Sequence, residues 1–352
     1  MLKSFFGKGL TPQTLRITND TIAERRKEVI AKGKKFKYPV QVSHKRIVIY
    51  TIIIALLVGV GFGVYTWHNL YRIQSTGDLS YNIARILPLQ VANVDGQPVR
   101  YDAYLRSIRA DIFYYINEER RAFNSQEGNN ELNYHKRNDL RTVERQAYAA
   151  KLAQSLKLQV TNQEVNDAIK RYLNTDNSTE ESLVNSLKKY YGWSLDEYRA
   201  VLKAQMLEQK VAFKIDDAAR NKLQTIQDRL RKGEDFATLA KELSDDSDTK
   251  AAGGATSVLR GFKDPTGVAN AVQGKKEGDI LSPMQIKTTE GYYYYVVRYD
   301  GIDRSGNEEQ IKYSIIAVKL SKYNDDFNQL IKDNKIKEYI KVPTEQEIKD
   351  SK

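Results

Sequence analysis

The chain has 352 residues, enough for two or three domains, and its 29% charged and 41% hydrophobic content is ordinary for a globular protein. Its formal charge of +11 does not mark a nucleic-acid-binding body: residues 1–46 hold 12 Lys and Arg against 3 Asp and Glu, a net of +9, which leaves +2 for the rest. With no cysteine, disulfides, thiol chemistry and a lipid-modified cysteine are excluded, and His44, His68 and His135 are too widely spaced for a metal site or a Ser-His-Asp arrangement.

In chain order, NDTIAERRKEVIAKGKKFKYP predicts a short basic helix, either touching anionic lipid or serving only to set orientation. The next run, IVIYTIIIALLVGVGFGVYTW (Ile47–Trp67), has 21 residues and no charge. As a helix it spans about 31 Å, close to the hydrocarbon thickness of a bilayer. Tyr65 and Trp67 fit an interfacial belt, and Lys45 and Arg46 close the basic end. The alternative is a buried core helix. The charge asymmetry predicts a cytoplasmic N-terminus, with residues 68–352 outside, and no cleavable signal pattern follows the run.

Residues 68–87 read as a stalk. Val91–Val94 is a candidate strand, Asp95-Gly96 a turn, and the aromatic-rich stretch from about Asp102 a helix. Asn124–Asn130 is expected as a polar loop. Thr161-x-x-Glu164, Ser178-x-x-Glu181 and Ser194-x-x-Glu197 each fit a capping box, with Gly192 closing the second of these helices. Leu195, Tyr198, Leu202 and Met206 fall at helical spacing, as a core stripe or as an exposed peptide-binding face. Further on, RKGEDFATLAKELSDDSDTKAAGG reads as two amphipathic helices ending in a polar loop and a double glycine. GYYYYVVRYDG reads as a strand apolar on both faces, and IKYSIIAVK (Ile311–Lys319) as another. Near the C-terminus KIKEYIKV alternates as a strand ended by Pro343; Val91–Val94 is its nearest candidate partner.

VANVDGQPV followed by a helix, KLAQSLKLQVTNQEVNDAI and YYGWSLDEYRAVLKAQMLEQK resemble the N-terminal region of SurA-like and PrsA-like extracytoplasmic foldases. RKGEDFATLAKELSDDSDTKAAGG, EGDILSP and EGYYYYVVRYDG, within 219–303, resemble a parvulin-type peptidyl-prolyl isomerase domain. The resemblance implies an α+β fold: a single N-terminal transmembrane helix, a mostly α-helical chaperone domain and a parvulin-like domain with a small antiparallel sheet. The family's first strand lies antiparallel beside its last. Here there is no room for it before the first parvulin helix, so Ile311–Lys319 is expected in its place, a circularly permuted order. The expected division is a basic cytoplasmic tail (1–46), the transmembrane helix (47–67), the stalk (68–87), a SurA-like domain (88–213, completed by 320–342), the parvulin-like domain (214–319) and a tail (343–352).

The resemblance also names site positions. Asp246 stands where parvulins carry a carboxylate or thiol; read alone, it is first a loop-capping aspartate. Tyr293 replaces the histidine of the last strand, and Ile315 stands at the first-strand histidine. A phenol exchanges hydrogen bonds but does not titrate near neutral pH. Phe262 and Val268 are the candidate proline-pocket residues, with Lys263 and Asp264 intruding on it. The implied function is a membrane-anchored extracytoplasmic chaperone or foldase at the bacterial cell membrane, single-pass, with a degenerate parvulin domain. It would bind unfolded or secreted polypeptide clients and contact lipid through 47–67, with no nucleic acid, metal or cofactor. The alternatives are an active prolyl isomerase with a Tyr293/Asp246 site, and a scaffold in a membrane complex.

Overall fold

The computed structural model describes residues 18–37, 44–175, 178–261 and 264–350. The chain forms two units, residues 1–67 and 68–352. The first contains α1 (Asn19–Lys37), with Lys32 paired to Glu28 at 2.7 Å, and α2 (His44–Trp67). From Lys45 to Ile73 the helix is long and apolar enough to cross a membrane. Its large apolar side chains are about half exposed or more, from Ile53 at 46% to Leu57 at 67%, the reverse of a core helix.

The second unit opens with a π-helical turn, His68–Ile73, then α3 (Asp78–Ile86). This stretch, expected as a stalk, is instead packed into the body. Leu70, Tyr81, Ile83 and Ala84 are buried, and the Tyr101 hydroxyl donates to the Leu70 carbonyl. The i, i+3 apolar spacing of a short amphipathic helix was the overlooked signal. Next come β1 (Gln90–Val94) and β2 (Gln97–Arg100), an antiparallel hairpin turning at Asp95-Gly96.

α4 (Tyr101–Asn117) leads to α5 (Gln126–Leu156). The polar stretch expected as a loop is the first turn of α5: Ser125 caps it by accepting from the Gly128 amide at 3.1 Å. A Cβ at Gly128 would meet the backbone at Phe123 (2.8 Å), so the polar composition reflects a tight helix entry. α6 (Asn162–Thr175) and α8 (Leu195–Ile215) carry the reciprocal boxes expected at Thr161/Glu164 and Ser194/Glu197. Between them lies α7 (Glu180–Tyr191), whose cap is Thr179, accepting from the Ser182 amide, rather than Ser178. Gly192 ends it in the left-handed conformation. Leu195, Tyr198, Leu202 and Met206 pack on Val160, Val165, Ile169, Leu183 and Leu187, so the stripe is core.

The chain then runs through α9 (Asp217–Arg231), α10 (Phe236–Leu243), α11 (Ser247–Lys250), β3 (Ala255–Leu259), α12 (Val268–Ala271), β4 (Met284–Thr288), β5 (Gly291–Asp303) and β6 (Gln310–Leu320). These strands form an antiparallel sheet in the order β3-β6-β5-β4. β5 and β6 are joined as a hairpin, with Tyr292 opposite Leu320 and Val297 opposite Ile315. Thus the strand beside β5 comes from its C-terminal side, as IKYSIIAVK predicts. Val211–Ile215, the last residues of α8, are helical and take no place in this sheet. Gly254 permits the close approach of β6: its φ is +86°, and a Cβ there would strike the Ile315 carbonyl.

Finally α13 (Lys322–Lys332), β7 (Ile336–Glu338) and α14 (Glu345–Asp350) return to the helical part. β7 pairs antiparallel with β1, Ala92 opposite Glu338 and Val94 opposite Ile336, completing a sheet β2-β1-β7. Arg137, 2% exposed, fastens this return. Its guanidinium donates to Glu338 at 2.6 Å, to the Pro343 carbonyl at 2.8 Å and to the Val342 carbonyl. A charge this deeply buried is tolerated because each donor edge has an acceptor.

Candidate functional site

β5 divides the molecule by the two-residue period of a strand. Tyr292, Tyr294 and Val296 enter the main core, where the Phe213 ring of α8 meets Tyr292 at 5.9 Å and Tyr294 at 5.0 Å between centroids. The Tyr294 hydroxyl donates to the Phe213 carbonyl at 3.4 Å. Tyr293, Tyr295 and Val297 face the other way, into a second cluster with Val268, Val272, Ile286, Ile311, Tyr313, Ile315 and Ala317.

That second face gathers the positions named from sequence. Val268, Tyr293 and Ile315 share the cluster, exposed by only 0%, 4% and 4%. Phe262 and Lys263 lie outside the described residues. Tyr293 donates to Glu290 at 3.2 Å, and burial, reinforced by the Glu290 carboxylate, pushes its hydroxyl up to about 12. Burial also raises Tyr295, and raises Tyr313 to about 12, with negative charge from Asp264 adding to both. A chain with no histidine after His135 therefore has no imidazole on this face.

Asp246 stands near enough for its charge to raise both Tyr293 and Tyr295. Its own oxygens are engaged locally. Oδ1 accepts from the Asp248 amide and Oδ2 from the Thr249 hydroxyl, each at 3.0 Å, capping α11. The preceding pair is equally structural. Ser244 Oγ accepts from the Ala317 amide at 3.1 Å, and Asp245 accepts from the Lys319 amide at 3.0 Å while donating its own amide to the Ala317 carbonyl at 2.8 Å. The Ser-Asp-Asp run thus clips β6 to the helices beneath it. Asp264, expected to intrude on the proline pocket, turns onto its own loop. It accepts from Thr266 N (2.8 Å), Thr266 Oγ1 (2.6 Å) and Ala269 N (2.8 Å), capping α12.

A cleft of roughly 1280 Å3 opens on the outer side of this loop. Arg171 and Tyr172 of α6 and Ser182, Leu183 and Ser186 of α7 form one wall. Arg260, Asp264, Asn270 and Gln273 form the other, with Tyr299, Ile302 and Ile311 between. Neither Asp246 nor Tyr293 lines it. Sequence reading missed the helical wall. Its only trace was the four-residue spacing of Ser182 and Ser186, which on a helix brings both hydroxyls to one face. No cluster of metal-ligating side chains occurs among the described residues.

Two family models match the chain. Residues 41–212 match the SurA-like N-terminal domain, and residues 206–296 match the PPIC-type PPIase domain, the rotamase family. The second match ends at Val296, so β6 lies outside it although it completes the sheet. Foldase protein PrsA 2 of Listeria monocytogenes serovar 1/2a (strain ATCC BAA-679 / EGD-e) is 29% identical over 138 residues, 35% of this chain and 46% of that protein. The matched stretch spans about half the length of that relative. Across its two matched regions, then, the chain is SurA/PrsA-like, with a helical N-terminal part of the SurA type and a parvulin-type domain after it.

Proposed function

We propose that the protein is a membrane-anchored extracytoplasmic folding factor that holds unfolded or secreted polypeptide while its parvulin-type domain contributes little prolyl isomerisation. The cleft carries this reading. Pockets for small ligands run to about 300–1,000 Å3. This one is larger, open, and lined by hydroxyls, amides and arginines together with Tyr172, Leu183 and Ile311. An extended backbone needs that mixture, with hydrogen-bond partners along its length and apolar surface for alternate side chains. In this reading residues 47–67 contact lipid, the basic tail 1–46 stays in the cytoplasm, and 88–213 with 320–342 forms one domain into which 214–319 is inserted. Val268, Phe262 and Ile315 are the pocket positions, and Asp246 and Tyr293 the polar members, of whatever prolyl site survives.

Isomerisation requires a site that holds the twisted amide better than the planar one. Tyr293 is buried and bonded to Glu290, and Asp246 caps its own loop. The one donor of Tyr293 is thus spent on Glu290, and each Asp246 oxygen already accepts one bond from its own loop.

The test uses the absence of cysteine. Single cysteines at Ser186 and at Gln273, on opposite walls, carry a photoreactive maleimide in the full-length protein and are irradiated with an unfolded, cysteine-free client. Crosslinks concentrated at these two positions are expected. Equal crosslinking at Lys241, which does not line the cleft, would overturn the assignment.

A further inference from the structure

The chain leaves the helical part for the sheet at the α8–α9 junction and comes back at the β6–α13 junction. These crossings are 105 residues apart in sequence, yet one side chain holds both. Asp216, 3% exposed, caps α9 through Oδ1, which accepts from the Ala219 amide at 2.9 Å. Its Oδ2 accepts from the Ser321 amide at 2.9 Å and the Lys322 amide at 3.0 Å, the first amides of α13. Ser321 stands at the capping position of α13, but its own hydroxyl makes no cap. The buried carboxylate of the other crossing supplies it instead, placing negative charge at two helix N-termini together.

We infer that Asp216 locks the hinge between the helical part and the sheet, and thereby sets the aperture of the cleft. Two single-stranded crossings alone leave the orientation of the two parts to their packing at Phe213, Tyr292 and Tyr294. Here the two crossings are stapled to each other at their bases. Arg220, one turn into α9, adds a second tie by donating to the Phe213 carbonyl at 2.9 Å and the Lys214 carbonyl at 2.5 Å, across the bend from α8. The cleft walls stand on opposite sides of this staple: α7 belongs to the helical part, while α12 follows the outgoing crossing. The functional meaning rests on the cleft being where client lies; the mechanical claim does not.

The experiment measures aperture without client. Spin labels at Ser182→Cys and Gln273→Cys, both exposed positions on facing walls, report the interwall distance in the full-length protein by pulsed dipolar spectroscopy. The expected result is one narrow distribution in the parent and a distribution at least twice as wide in Asp216→Ala. Asp216→Asn keeps an acceptor for one helix and should fall between them. Far-UV circular dichroism establishes that each variant is folded; if Asp216→Ala is not, Asp216→Asn decides. A folded variant with the parent's narrow distribution would overturn the lock, as would a parent distribution that is already broad. Because no client is present, failure of peptide binding leaves this result untouched, and failure here leaves the crosslinking result untouched.

Discussion

The two faces of β5 carry the same residue type and have different lives. Tyr292 and Tyr294 point into the main core, where Phe213 meets both rings and Glu208 and Arg145, paired at 2.9 Å, stand alongside. Tyr293 and Tyr295 cover the opposite face, and there they meet each other, ring centroids 6.0 Å apart, and a layer of β-branched residues. One face joins the sheet to α8. The other packs a separate cluster. A run of four identical residues is thus two interfaces interleaved by the strand period.

Truncation should separate the faces most clearly. Phe213→Ala removes the ring that meets both inward tyrosines and should cost about 3–5 kcal/mol, read from urea unfolding of the full-length protein. Tyr293→Phe loses only the 3.2 Å hydrogen bond to Glu290 and should cost about 1 kcal/mol or less. Equal costs would break the distinction between the two faces.

A pH titration sharpens the same contrast, because near-neutral titration belongs to the helical part. Burial raises Asp139 and Glu144 of α5 to about 7, and Asp139 Oδ2 and Glu144 Oε1 have no hydrogen-bond partner. Both folded values lie above the unfolded ones, near 4, so the folded state binds more protons between those limits. Stability should therefore fall as pH rises from about 4 to 7 and level off above. His135, raised chiefly by its 2.9 Å contact with Asp111, acts in the same direction as pH passes its range. The effect is at most about 4 kcal/mol for each group, roughly three pH units at about 1.4 kcal/mol, and Asp139→Asn should remove about half of it. A slope unchanged in Asp139→Asn would place the titration elsewhere.

Much of this was legible in the sequence because it rests on local chemistry. The apolar run, the boxes at Thr161 and Ser194, the Gly192 stop and the strand character of IKYSIIAVK each follow from a few neighbouring residues. The order of the second sheet was readable because no room remained for a strand before α9. Most of what escaped depends on contacts distant in sequence. The stretch 68–87 is core because α4 and β1 cover it, and Arg137 meets Glu338 across 201 positions. Asp264 looked like an intruder because its partners, the amides of Thr266 and Ala269, are set by loop conformation rather than residue type. The cleft joins segments about ninety residues apart, and no local pattern announces it.

Removal of the Asp246 carboxylate should have a small structural effect. Asp246→Ala frees the Asp248 amide and Thr249 hydroxyl at an exposed four-residue helix, a loss of about 1 kcal/mol by thermal unfolding. A loss several times larger would mean that Asp246 supports more than its own loop.

The account turns on separating holding from isomerisation, and one paired assay on the full-length protein addresses it. Prolyl isomerisation of a short peptide and aggregation of an unfolded client are followed with parent, Asp246→Ala and Tyr293→Phe proteins. The account predicts peptide exchange near the uncatalysed time, tens to hundreds of seconds, with aggregation suppressed equally by all three. Rapid turnover by the parent, lost in both variants, would contradict it and make the protein a prolyl isomerase with a tyrosine in place of the imidazole.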